Sequence, residues 1–229
     1  MFVVLILFSN ILQQLILSRR IHLDNYSTTE KFKLLQYLQG DIQKNLALFN
    51  ITKEFRKFDF YNFLYNAEEL AEKMMSITAR NKNDEIVGSN LVLRHDQVGK
   101  LYIPNLFNLM LVNLINCFNE KRPIDIPAKN GYITLLQSGL NVMISQRIME
   151  TTWRKLVAKS VLNEQKFYHI FWHNNNLRHS INLEMMGYQS IFCGNQTGLC
   201  NLGNFLMKKD FHKNYCLYIL NDSHYLVDT

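Results

Sequence analysis

Apolar and polar positions change period several times along the chain, and each change marks an expected element. Leu15-Ile16-Leu17-Ser18-Arg19-Arg20-Ile21-His22-Leu23 ends in alternation and predicts a strand. Ser27-Thr28-Thr29-Glu30 has the form of a capping box; behind it Phe32, Leu34, Leu35 and Leu38 recur at helical spacing, with Gly40 as the expected stop. Strong helix formers fill Asn66 to Lys73 and predict a second helix. The period then drops to two. Met75 to Arg80 and Ile86 to Arg94 read as strands, joined into a hairpin by the polar turn Asn81-Lys82-Asn83-Asp84-Glu85. Leu106, Leu109, Met110, Asn113, Leu114 and Cys117 share one face of an amphipathic helix expected over 106–118, which Arg122-Pro123 ends. Further on, strands are expected over Leu135 to Ile144, Phe167 to His173, Tyr188 to Cys193 and Tyr215 to Leu220. Helices are expected over Thr151 to Leu162 and Leu177 to Met186.

The strand, helix, strand succession from Leu135 to His173 implies parallel neighbours joined by a crossover helix, preceded by an antiparallel hairpin. The fold class is therefore α/β (α+β), with a central mixed, mostly antiparallel twisted sheet of about six to seven strands flanked by helices. Ligands of such sheets bind beyond the carboxyl end of a strand, where a helix N-terminus offers unpaired N–H groups, and this points to Ser145 to Thr152.

At 229 residues the chain suits one hydrophobic core: residues 1–14 form an apolar N-terminal segment and 15–229 a single domain. A hydrophobic share of 48% and a charged share of 19%, without low-complexity tracts, exclude a disordered or fibrous protein. The net charge of +6 is scattered, with no basic stripe of the kind that binds nucleic acid. Cys193 and Cys200 bracket a loop that a disulfide would close; no Cys-x-x-Cys occurs, His173, His179 and His212 lack metal-finger spacing from any cysteine, and no metal site is expected. The apolar run at the N-terminus has no preceding positive residue and is broken by Asn10, Gln13 and Gln14, which argues against a cleaved signal or a lipid-spanning helix. A cytoplasmic location is expected. Secretion or anchoring stays open as the alternative, in which the sequons at Asn25, Asn50, Asn195 and Asn221 would matter.

Two motifs carry a resemblance. Asn83-Asp84-Glu85-Ile86-Val87-Gly88 ahead of a strand resembles the second hairpin of the GNAT superfamily of acyl-CoA N-acyltransferases. Tyr168-His169-Ile170-Phe171-Trp172-His173-Asn174-Asn175-Asn176, followed by a helix and Met186-Gly187-Tyr188-Gln189-Ser190-Ile191-Phe192, resembles that superfamily's closing strand, turn, helix and Gly-aromatic step. The order of elements from about Leu15 to Leu220, with a helical insertion before the fourth strand, is similar to the insect arylalkylamine N-acetyltransferase branch.

The resemblance implies a GNAT-like fold, acetyl-CoA as co-substrate, a small amine as acceptor, aromatic in that branch, and direct acyl transfer. It carries the carbonyl-polarising N–H groups of the fourth strand to Val142 and Met143. It carries the pyrophosphate cradle to Ser145, Gln146, Arg147, Thr151 and Thr152, and a further cofactor contact to Asn175. The chain departs from the pattern in having no glycine in that stretch, and in having Glu150 and Trp153 there. Where the branch has its second acid, the chain has Ile42; Asp41 is the adjacent base candidate and His173, at a strand end, the other. Cys200 and His212 come nearest to a nucleophile pair and nothing marks them as activated. Two alternatives stand beside the enzyme: a GNAT-like binding or interaction protein without catalysis, and a secreted glycoprotein of unrelated α/β fold.

Overall fold

A computed structural model describes residues 21–45, 57–102, 116, 119–120, 122–139, 142–174, 182–193 and 215–221. The alternation ending at Leu23 becomes strand β1 (His22–Asn25). Ser27 caps the turn that follows: its hydroxyl accepts from the Thr29 N–H. Glu30 does not fold back to complete a capping box but pairs with Arg80 on the neighbouring hairpin. Helix α1 (Lys31–Asn45) then runs straight through Gly40. A glycine within a helix costs only about 1 kcal/mol relative to alanine, and the buried Leu34, Leu35 and Leu38 hold this helix to the core, so Gly40 is no stop. Helix α2 (Lys57–Leu70) follows.

The hairpin is as the period implied: β2 (Ile77–Arg80) and β3 (Ile86–Arg94) pair antiparallel. The Asn81 side-chain carbonyl accepts from the N–H groups of Asn83 and Glu85, and Asp84 takes the left-handed conformation at φ 61° that such a turn requires. The helix expected over 106–118 lies largely outside the described residues. Strand β4 (Gly131–Gly139) begins four residues before the expected Leu135 and ends before Ile144, and helix α3 (Val142–Asn163) begins at once. Beyond it come β5 (Tyr168–Asn174), a short helix α4 at 182–185, β6 (Gln189–Cys193) and β7 (Tyr215–Asn221).

The described strands form one seven-stranded sheet in the order β1-β2-β3-β4-β5-β7-β6, antiparallel except between β4 and β5. This is the mixed sheet flanked by helices that the pattern implied. One face packs α1 and α2 against Leu91, Leu93, Ile133 and Ile170. On the other, Val92, Met149, Leu156, Phe171 and Tyr218 pack together, and Ile144 and Ile148 of α3 sit on Ile77 and Ala79. Gly88 permits that second contact: a Cβ there would lie 2.8 Å from Ile144 Cγ2 and 2.9 Å from Ile148 Cδ1.

Candidate active site at the parting of β4 and β5

The parallel pair is short. Its register runs from Gly131 opposite Tyr168 to Thr134 opposite Phe171 and stops, although β4 continues to Gly139 and β5 to Asn174. Beyond that point each strand keeps its other neighbour. Leu136 to Gly139 stay in register with Leu91 to Gly88, while Trp172 to Asn174 stay with Leu217 to Tyr215. The cause is a bulge. Leu91 opposes Leu136 and Val92 opposes Thr134, so Leu135 is an extra residue on β4 and the strand bends away from β5 where their pairing ends. A V-shaped gap opens inside the sheet, and from Leu135 onward β4 is paired on one side only.

At the mouth of the gap, α1 meets β4: Tyr37 Oη lies 2.8 Å from Ser138 Oγ. Burial, opposed by the bond to Ser138 and aided by the charge of Asp41, pushes the Tyr37 pKa up to about 12. The phenol is therefore neutral at working pH. Asp41 lies one helical turn beyond Tyr37 on α1 and is partly buried, within a helix and not at its end.

On the opposite face of the sheet from α1, the N-terminus of α3 supplies the N–H groups that no preceding turn can satisfy. Gln137 on β4 reaches over and donates through Nε2 to the Ser145 carbonyl at 3.1 Å and hydroxyl at 2.9 Å. Its own Oε1 is buried without a partner, as is Gln146 Nε2. Gln146 lines a groove of about 310 Å³ between α3 and α4, where Met149 and Trp153 face Leu183, Met185 and Met186.

Several expected positions are corrected by this geometry. Val142 and Met143 open α3 and are not on β4, so the backbone that faces the gap is Leu135 to Gly139. Ser145, Gln146, Arg147, Thr151 and Thr152 lie along the helix and form no loop. Leu140, Val142, Met143 and Ile144 are apolar enough for a strand; packing of Ile144 on the sheet decides for helix. Thr151 and Thr152 donate back to the carbonyls of Arg147 and Ile148, and Thr152 also accepts from Asn90, so neither hydroxyl is offered to a ligand. Arg147 points its guanidinium at the Ile21 carbonyl, and Glu150 pairs with Arg154, which offsets its charge. His173 lies on β5 opposite Cys216, but its side chain is outside the described ones; Asn175 is outside the described residues altogether. Cys193 is in register with Cys216, and Cys200 lies outside the described residues.

Sequence reasoning missed Tyr37, Ser138, Gln137, Thr134 and His169. Only His169 leaves a signal, as a polar residue inside the apolar run Tyr168-His169-Ile170-Phe171.

No protein-family model matches the sequence, and no curated protein does. Solved structures match over most of the chain. The C-terminal condensation domain of Ebony in complex with beta-alanyl-dopamine is similar with a TM-score of 0.63 at 11% identity, over 88% of this chain and 98% of that one. Mosquito arylalkylamine N-acetyltransferase like 5b gives 0.58 at 11% identity over 88% and 99%. The Drosophila melanogaster polyamine N-acetyltransferase, which catalyses the formation of N-acetylagmatine, gives 0.58 at 12% over the same shares. Identities this low speak to architecture alone. Together with the gap that opens between parallel β4 and β5, they show that this chain has the fold of the GNAT acetyltransferases, insect arylalkylamine N-acetyltransferases among them.

Proposed function

We propose that the chain is an acyl-CoA-dependent N-acetyltransferase that acts on a small amine by direct transfer. The gap opened by the bulge at Leu135 carries this reading, because it leaves one edge of β4 unpaired beside the N-terminus of α3. Acetyl-CoA supplies an acetyl group already activated as a thioester.

The chain's residues fit the pantetheine arm of that donor. Its amides need hydrogen-bond acceptors and donors, and Gln137 Oε1 and Gln146 Nε2 are buried and unpartnered at the opening turn of α3. Unpaired N–H groups of β4 between Leu135 and Gly139 would polarise the thioester carbonyl, and the opening turn of α3 would face the pyrophosphate. On the other side, Asp41 serves as the base that takes the proton from the attacking amine, and the neutral Tyr37–Ser138 pair orients that amine. His173 remains the second base candidate. The similar structures include a domain in complex with beta-alanyl-dopamine, an arylalkylamine N-acetyltransferase and an enzyme that forms N-acetylagmatine, which supports a small amine here.

A second reading, a binding protein that has kept the fold without the reaction, is favoured by one observation. The first turn of α3 contains no glycine, so its backbone is less accessible to a pyrophosphate than a glycine turn. Calorimetric titration of the full chain with acetyl-CoA tests the proposal. Micromolar binding, followed by release of CoA thiol in the presence of arylalkyl amines or agmatine, is expected. Absence of heat at millimolar donor overturns it in favour of the binding protein.

A further inference from the structure

A buried polar chain that the transfer chemistry does not use lies just behind the gap. His169 on β5 has no exposed surface. Its Nε2 is 2.8 Å from Thr134 Oγ1 on β4, and its Nδ1 is 2.6 Å from the Tyr188 hydroxyl, just ahead of β6. In either tautomer the neutral ring donates through one nitrogen and accepts through the other, so both of its polar atoms are satisfied.

Each end of this chain holds a different wall of the site. Thr134 is the last β4 residue in register with β5, and the residue after it is the bulged Leu135. Its tie to His169 therefore fixes the point at which the strands part. Tyr188 holds the other wall. Gly187, at φ 84°, ends α4 in the left-handed conformation, its N–H bonding to the Glu184 carbonyl at 2.9 Å. The Tyr188 N–H bonds to the Leu183 carbonyl at 2.9 Å, which completes a Schellman cap and places the tyrosine directly behind the helix. Edge-to-face contacts with His169 and Phe171 lock its ring. Leu183, Met185 and Met186 of this cap form the far side of the groove.

We propose that Thr134, His169 and Tyr188 form a clamp that sets the opening of the gap and the position of α4 together, which makes His169 a positioning residue for the acyl donor. This rests on the reading of the gap and groove as the acyl-CoA site. An apolar trio of the same shape would fill the space without directional bonds, whereas hydroxyl–imidazole–hydroxyl bonds fix distance and angle at both ends.

The test compares the full-length parent with Thr134→Val, Thr134→Ser, Tyr188→Phe and His169→Phe, by amide hydrogen exchange and by calorimetric titration with acetyl-CoA. The clamp makes its two ends interdependent. Thr134→Val is expected to speed exchange at residues 183–188, and Tyr188→Phe to speed it at 135–139, each at the end it does not touch. Acetyl-CoA affinity should fall about tenfold in both, by no more than that in the double variant, and recover in Thr134→Ser. Exchange that changes only next to each substitution overturns the clamp, as does unchanged affinity in variants with parental circular dichroism. Should His169→Phe fail to fold, the Thr134 and Tyr188 variants still decide. A parent that binds no acetyl-CoA overturns the reading of the site, and the exchange data then stand alone in judging whether the ends are coupled.

Discussion

Burial pushes the pKa of His169 down to about 3. Its neighbours are two hydroxyls and the rings of Phe171 and Tyr188, none of which carries a negative charge to offset the buried imidazolium. In the unfolded chain the imidazole titrates near 6.5. Between these values the unfolded state holds one more proton, so folding stability falls as pH drops below about 6.5 and is unaffected by this group above it. Urea unfolding at pH 6.5 and 5 should show the parent losing about 1–2 kcal/mol more than His169→Gln. An equal loss in both would place the imidazole in a wetter setting than the one described. Asp41 belongs to the same scale. The proposed role of Asp41 as base predicts that Asp41→Asn lowers kcat about a hundredfold while acetyl-CoA affinity stays at the parental value; a loss of donor affinity of the same size would assign Asp41 to binding.

Gly88 and Gly187 explain, between elements, why two weak motifs were readable. In Ile86-Val87-Gly88 the glycine lets α3 rest on the sheet, and in Met186-Gly187-Tyr188 it ends α4 so that the tyrosine can reach His169. Both are constraints of a backbone on its neighbour, and such constraints leave a residue type behind in the sequence. The end of β4 left none. Leu140 to Ile144 fits either period, and the deciding contacts come from Ile77, Ala79 and the gap left by Gly88, more than fifty residues away. Tyr37 and Ser138 were unreadable for the same reason, since they meet only once α1 lies across the sheet. Gly88→Ala should push the start of α3 off β3, lowering stability by about 1–3 kcal/mol and weakening acetyl-CoA binding more than an equally destabilising change in α2. At the far end of α1 a second tie holds the helices. Glu68 of α2 is buried, which raises its carboxyl pKa, but hydrogen bonds from Lys31, Lys73 and Tyr26 outweigh this and hold it below the usual range. Glu68→Gln removes the buried anion of Lys73 and leaves Lys31 only the exposed Glu69, and should cost about 2–3 kcal/mol in denaturant unfolding. Because the carboxyl pKa is lowered, the parent keeps this contribution above the unfolded carboxylate range and loses it as pH falls through the folded value, so the two chains should converge in acid.

Among the described residues, the sheet is two antiparallel blocks, β1 to β4 and β5 to β6, sharing only the short parallel register from Gly131–Tyr168 to Thr134–Phe171. The first block is sequential: strands adjacent in the sheet follow one another in the chain, and its hairpin of β2 and β3 was legible from the change of period. The second is not. Strand β7, the last of the described strands in chain order, lies between β5 and β6 and is the only partner of β6 among the described residues. During ribosomal synthesis this order separates the two blocks in time. The amino-terminal block can pair its strands as they emerge, whereas β5 and β6 wait with open hydrogen-bonding edges until Tyr215–Asn221 has left the exit tunnel. For that interval the nascent chain presents one edge of Tyr168–Asn174 and all of Gln189–Cys193 unpaired, the kind of surface that chaperones cover and that stalled translation would expose to neighbouring polypeptides.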